Sequence, residues 1–385
     1  MSVLARHELR HADGRRLFIY GELRGDLDGE IAPDAPPPQL HQRFDPLLAQ
    51  RTAIAPARNT RPYAPVREDE DVDSDVPCPL CPGGPEIPFP YELAAFENRW
   101  PTFMEHPPPP PQHPHALPAR GRCEVLLYTS SHVGSLRTLA PAELARLVAM
   151  WTDRSTELWA DSAYRFVMVF ENRGAEVGAT LSHPHGQLYA FDHLPPIIER
   201  RVDALATYRR DRRACLTCET LAEDAAEPQR RILEDEHFSV SVPYAARWPY
   251  EVHVRAWRHG LRRLGDLSGP EAVALSRCAR ELVRRYDVLF GFDLPYMMTI
   301  MEAPEGADDW HLALEFMPVH RSAVKLKIRA SVETATGLFI NDVEPERSAG
   351  ELAGLIPDPE PEYEYLPVPE VVAVSGRAES GIGSR

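Results

Sequence analysis

Residues 182–187 read Ser-His-Pro-His-Gly-Gln, and the reading of this stretch decides the rest. In an extended strand, side chains at i, i+2 and i+4 share a face. His183, His185 and Gln187 are then expected on one face. Pro184 lacks a backbone N–H, which suits an edge strand or a strand entrance. Gly186 carries no side chain, which would let a ligand approach the backbone closely. An imidazole is mostly neutral near pH 7 and can act as a nucleophile without an activating base. A neighbouring amide can hydrogen-bond a phosphoryl oxygen as charge moves onto it. The stretch thus predicts a rigidly presented nucleophile, His185, with Gln187 beside it and His183 pinned next to both.

Outward from it the pattern is α+β. CEVLLYT (123–129), RFVMVFEN (165–172) and QLYAF (187–191) read as strands, and 141–160 reads as an amphipathic helix. The second half repeats that order. HFSVSVPY (237–244) and YEVHVRAW (250–257) read as strands, 269–290 as a helix, and YMMTIME (296–302) and WHLALEFMPV (310–319) as strands.

The cysteines and histidines test this duplication. In the first half Cys78 and Cys81 are followed by His132 and His183, at steps of 51 and 51 residues from Cys81. In the second, Cys215 and Cys218 are followed by His259 and His311, at steps of 41 and 52 from Cys218. In each half one histidine follows a strand and precedes a long helix, and the other opens a late strand. Two thiolates on a tight turn and two imidazoles from distant strands make a closed tetrahedral set, the pattern of structural Zn²⁺. The competing readings are chance pairs of thiols and redox pairs, and neither C-x-x-C has thioredoxin-like surroundings. Aligning His311 with His183 puts Ala313 where His185 stands and Glu315 where Gln187 stands. The second copy keeps the ligands and lacks the nucleophile.

Composition narrows the class. The chain has 385 residues, 43% of them hydrophobic, and a net charge of −16, which argues against nucleic-acid binding through a basic surface. No apolar run is long enough to span a membrane. The first twenty residues lack an apolar core and a small-residue cleavage site, so a cytoplasmic location is expected. Proline-rich stretches at 31–40, 62–90 and 106–118 and the acidic run 67–75 read as loops. The division expected is a catalytic half at 1–195, a second half at 196–355, and a disordered acidic and proline-rich tail at 356–385.

His-Pro-His-Gly-Gln (183–187) after Phe-Glu-Asn-Arg-Gly (170–174), with Cys-Pro-Leu-Cys (78–81), Phe-Glu-Asn-Arg-Trp (96–100) and FINDVEPE (339–346), resembles the galactose-1-phosphate uridylyltransferase family. That family is a branch of the histidine-triad superfamily, and the likeness spans roughly residues 43–343. The resemblance implies a duplicated histidine-triad-like α+β unit with antiparallel sheets and packed helices, assembled as a homodimer. It implies ping-pong transfer of UMP between UDP-glucose and galactose 1-phosphate, with His185 uridylylated and Gln187 stabilising the intermediate. It assigns Zn²⁺ to Cys78, Cys81, His132 and His183, and substrate contacts to Arg58, Arg61, Asn98, Asn172, Gly178, Thr180 and Gln187. Lys327, Glu333 and Phe339 match a segment near the sugar phosphate.

The chain departs from the family at Ser182, where a proline is more usual, in the acidic run 67–75 and the proline run 107–111, and above all in its metal-type residues. Some members carry a further metal site of one acidic residue and three histidines. Arg201, Met301, Ala313 and Glu315 stand at those positions, so that site is absent. The second set, Cys215, Cys218, His259 and His311, is shared with relatives that phosphorolyse ADP-glucose. The same histidine acting on another sugar nucleotide therefore stays open as an alternative, as does a zinc-stabilised scaffold without activity.

Overall fold

This computed structural model describes residues 2–23, 39–61, 78–355 and 364–374. Most of the proline-rich stretch 31–40, residues 62–77 and the acidic run 67–75 lie outside them. The first half supplies β1 (Val3–Arg10), β2 (Arg16–Tyr20), β3 (His41–Asp45), β4 (Gln50–Ile54), β5 (Leu93–Glu97), β6 (Ala116–Leu117), β7 (Gly121–Leu127), β8 (Phe166–Arg173) and β9 (His185–Phe191). The second supplies β10 (Arg231–Leu233), β11 (Phe238–Ser241), β12 (Val252–Ala256), β13 (Tyr296–Met301), β14 (Ala313–Pro318) and the hairpin β15 (His320–Ser322) and β16 (Lys325–Leu326). The last strand is β17 (Glu370–Val374).

Twelve strands form one sheet in the order β10-β11-β12-β14-β13-β8-β9-β7-β5-β2-β1-β17. Outward from the β8–β13 seam, the first half runs β8-β9-β7-β5 and the second β13-β14-β12-β11. The two orders match strand for strand, so the duplication read from the cysteines is a duplication of the fold. The seam pairs β8 with β13 antiparallel, Asn172 against Met297 and Phe170 against Thr299.

Two long helices cover one face. Helix α1 (Pro141–Trp159) starts with proline in its first turn, and Glu143 accepts the Ala140 N–H at 2.7 Å. Leu144, Leu147, Val148 and Trp151 give it an apolar stripe, buried over the sheet. After α2 (Pro196–Arg212) and α3 (Leu216–Ala226) comes its counterpart, α4 (Gly269–Leu289), whose N-cap Ser268 exchanges hydrogen bonds with Glu271. The other face of the central strands carries the site.

Three expectations are corrected. His183 lies in a bend before β9, which begins at His185, so the shared face starts at His185 and continues through Gln187, Tyr189 and Phe191. Within the tail, Glu370–Val374 forms a strand that pairs parallel with β1, while residues 356–363 and 375–385 lie outside the described residues. Gly186 faces the helix-covered side. The Tyr128 hydroxyl and the Phe170 carbonyl occupy the space its side chain would need. Its requirement is packing, not ligand approach. Sequence periodicity also missed β1, β2 and β5 and the helices α2 and α3. In α2 only Ile198 and Leu205 are buried, too few to mark a stripe.

Candidate active site and metal clusters

The structure brings both four-residue sets together. In each, the ligand atoms of Cys78, Cys81, His132 and His183, or of Cys215, Cys218, His259 and His311, lie within 4.8 Å of one another. Cys81 Sγ is 3.4 Å from His132 Nδ1 and 3.5 Å from His183 Nδ1. Cys218 Sγ is 3.6 Å from His259 Nδ1 and 3.4 Å from His311 Nε2. Tetrahedral Zn²⁺ with Zn–S near 2.3 Å and Zn–N near 2.05 Å has an S···N edge of about 3.6 Å. The donor sets fit that geometry.

Outer partners fix the rings. His183 Nε2 donates to the Thr129 carbonyl at 2.9 Å, leaving Nδ1 for the cluster. The Tyr91 hydroxyl, which donates to the Leu80 carbonyl at 2.6 Å, lies 3.1 Å from the same nitrogen. Ser182 Oγ lies 3.2 Å from His132 Nε2. In the second cluster His311 Nδ1 donates to the Ala256 carbonyl at 2.8 Å, leaving Nε2 inward. Cys215 is the N-cap of α3, and Cys218 sits in its first turn, where the helix dipole favours thiolate. Without a cation, burial and the neighbouring Cys215 push the Cys218 thiol up to about 11. Gly84 closes the first knuckle, since a Cβ there would meet the carbonyls of Cys78, Pro79 and Cys81 at 2.7–2.9 Å.

His185 follows the first cluster by two residues. Its Nδ1 lies 2.7 Å from the His183 carbonyl oxygen. A carbonyl only accepts, so the proton sits on Nδ1 and Nε2 carries a free lone pair. Burial pushes the imidazole below its ordinary value, against the bond to His183, so the neutral form is favoured. His185 lines a cleft of about 240 Å³ with Asn172, Arg173 and Ser182. Gln187 lies one pleat further along the same face.

The remaining expected contacts are spread around this face. Arg58 donates to the Trp100 carbonyl at 3.1 Å and to the Tyr189 hydroxyl at 3.2 Å, which ties it to β9. Arg61 Nε donates to the Arg58 carbonyl at 3.1 Å. Asn98 lines a separate cavity of about 760 Å³ with Phe103 and Cys123. Gly178, at φ 81°, and Thr180 lie on the β8–β9 loop. Sequence reasoning missed Tyr91 and Tyr189, whose hydroxyls hold a ligand ring and Arg58; a tyrosine alternating in register with His185 was the available signal for the second.

In the second half β14 opens at Ala313, two residues after His311, as β9 opens two after His183. At the Gln187 position, Glu315 is buried and meets Arg201 at 2.8 Å and Arg247 at 3.4 Å. Protein cations balance this carboxylate, and among the described residues no metal-ligand group forms there.

Two copies of one α+β unit in a single sheet, each with its own four-ligand cluster, define the class: a duplicated α+β protein with paired metal-type centres. The family model for the N-terminal domain of galactose-1-phosphate uridyl transferase matches residues 31–195, and that for the C-terminal domain matches 201–332. The chain is 39% identical over 321 residues to galactose-1-phosphate uridylyltransferase of Thermotoga maritima, covering 81% of this chain and 98% of that one. A solved uridylyltransferase superposes with a TM-score of 0.71 at 26% identity, over 81% of this chain and 97% of that one. An ADP-glucose phosphorylase from Arabidopsis thaliana with bound ADP-glucose superposes at 0.63 and 24% identity, over 83% of this chain and 100% of that one, a likeness of fold. The chain belongs to the galactose-1-phosphate uridylyltransferase family. It is an enzyme, a transferase of galactose metabolism. No helix among the described residues is long and apolar enough to cross a membrane.

Proposed function

We propose that this chain exchanges UMP between UDP-glucose and galactose 1-phosphate through a uridylyl-His185 intermediate. The observation that carries the reading is the 2.7 Å bond from His185 Nδ1 to the His183 carbonyl, which leaves Nε2 free beside the cleft. Nε2 attacks the α-phosphorus of UDP-glucose, a P–N bond forms, and the P–O bond to glucose 1-phosphate breaks. A phosphate oxygen of galactose 1-phosphate then attacks the same phosphorus and releases the imidazole. The Gln187 amide donates to a phosphoryl oxygen as charge builds there. Arg58 and Arg61 supply guanidinium groups for phosphate oxygens. Asn98 and Asn172 contact the nucleotide, and Gly178 and Thr180 border its approach.

Zn²⁺ would be held by Cys78, Cys81, His132 and His183, and a second ion by Cys215, Cys218, His259 and His311. With all four positions taken by protein, its contribution is structural. Four thiols kept as ligands suit the reducing cytoplasm. Val324, Ile328, Leu338 and Ile340 are exposed apolar side chains on one segment, which supports a homodimer that covers them.

The test is intact mass after mixing the protein with UDP-glucose and no acceptor. A UMP-sized adduct on the wild type, absent from His185→Ala and discharged by galactose 1-phosphate, is expected. An AMP-sized adduct from ADP-glucose would reassign the nucleotide, and no adduct from either would withdraw the assignment.

A further inference from the structure

Glu171 lies directly behind the nucleophile strand. On β8, Phe170 and Asn172 share the face of His185 and Gln187, so Glu171 turns to the helix-covered side, where it is 6% exposed. Its Oε1 accepts from the Tyr296 hydroxyl at 3.2 Å. Its Oε2 and the Tyr128 hydroxyl are both buried with no hydrogen-bond partner within range among the described residues. They are close enough for the carboxylate, after burial, to be the next cause that raises the Tyr128 phenol. The same hydroxyl fills the space behind Gly186, between His185 and Gln187. The Tyr128 amide in turn donates to the Pro184 carbonyl at 3.2 Å.

A buried polar atom without a partner keeps the full desolvation cost that a hydrogen bond would offset. The nearby cation does not relieve it. Arg173 is committed to Asp287 through bonds of 2.7 and 3.1 Å. Burial pushes the Glu171 carboxyl up to about 7, against the pull of Arg173 and the two phenols. A neutral carboxyl suits the pocket: it still accepts from Tyr296, and its own proton is one that the unpartnered Tyr128 oxygen could accept.

We propose that Glu171 is a positioning residue for the reaction at His185: through the Tyr128 hydroxyl it braces the backbone at Gly186 and so sets the placement of the imidazole relative to the Gln187 amide. The inference rests on His185 being the nucleophile. Glu171 borders the cleft beside Asn172, but its carboxyl is held at Tyr296 on the helix-covered side, and Tyr128 lies behind the strand, so their loss acts mainly on kcat. Misplacing a reacting group by about 1 Å costs on the order of 10²-fold in rate.

The experiment uses the full chain with UDP-glucose and galactose 1-phosphate, comparing wild type, Glu171→Ala, Glu171→Gln and Tyr128→Phe. Glu171→Ala is expected to lower kcat roughly 100-fold with KM within about twofold of wild type. Glu171→Gln keeps one acceptor and one donor in place, and should restore kcat to within about threefold of wild type. Tyr128→Phe should fall between them. A Glu171→Ala protein with full kcat overturns the proposal, and so does a Glu171→Gln no better than Glu171→Ala. If Glu171→Ala does not fold, Tyr128→Phe decides, and full kcat there overturns it. Intact mass of the wild type separates the two readings. A wild-type adduct with unaffected variants removes only the positioning role, whereas no wild-type adduct removes both.

Discussion

Replacing His183 by alanine should damage chemistry far more than replacing His311, although the two are the same ligand in duplicate clusters. His183 holds the first cluster through Nδ1 and the Thr129 carbonyl through Nε2 at 2.9 Å. Its own carbonyl, 2.7 Å from His185 Nδ1, selects the tautomer that frees Nε2. Without the ring this carbonyl is no longer fixed. Losing that bond costs about 1 kcal/mol, and a displacement of about 1 Å costs on the order of 10²-fold in rate. Together these come to roughly 3–4 kcal/mol, or a few hundredfold. His311 precedes Ala313, which has no chemistry to aim. The assay is single-turnover formation of the uridylyl adduct by quenched intact mass, with metal content measured on the same samples. Each variant should lose one metal equivalent, and only His183→Ala should lose the rate. Equal losses in the two variants, or a His183→Ala within about threefold of wild type, would refute the reasoning that the first cluster aims the nucleophile.

Ser182→Ala removes the hydroxyl 3.2 Å from His132 Nε2 and should weaken metal binding at the first cluster about tenfold, read by competition with a chelator. Gly186→Ala places a Cβ against the Tyr128 hydroxyl and the Phe170 carbonyl and should cost about 1–3 kcal/mol in denaturant unfolding; an unchanged midpoint would contradict the packing role. Burial works to raise the Glu315 carboxyl, but Arg201, His253 and Arg247 outweigh it and hold it at about 2. A depressed carboxyl contributes stability above its unfolded value of about 4.5 and loses it as pH falls through the folded value. Glu315→Gln should therefore be less stable than wild type at neutral pH, by up to about 3 kcal/mol, with the gap closing between pH 4.5 and 2. A gap that stays constant in acid would mean that the ion pairs carry none of it.

The metal sets were legible because their chemistry is local at one end and regular at the other. A C-x-x-C puts two thiols on one turn, and each remaining histidine sits at a strand margin, so residue type, order and spacing recur together. The shared face of His185 and Gln187 was legible for the same reason, since period two survives translation into structure, although it was carried one step too far back, to His183. What lies on the far side of a strand is not written in its own residues. Gly186 reads as open space until Tyr128 is brought behind it from β7. Glu171 breaks the apolar parity of β8, and that charged residue at a core position was the only trace of the buried cluster it joins. The helix α2 escaped because its charged surface leaves only Ile198 and Leu205 to mark a face. Strand β17 escaped because its partner β1 lies at the other end of the chain.

The second half clarifies what the clusters do. It has lost the imidazole and replaced the amide with Glu315, yet it keeps all four ligands within reach of one ion. A cluster retained where no chemistry follows must hold something else. Cys215 caps α3, His259 follows β12, and His311 precedes β14, so an ion held there would tie a helix end to two strand ends. Its counterpart would tie the Cys78–Cys81 knuckle to the loop after β7 and the entrance of β9. With an ion bound, the same staple would be common to both halves. What distinguishes the first is the two-residue step from ligand to His185. At that step the carbonyl of His183, a residue of the first cluster, fixes which nitrogen of His185 carries the proton, and an ion in the cluster would hold that carbonyl in place.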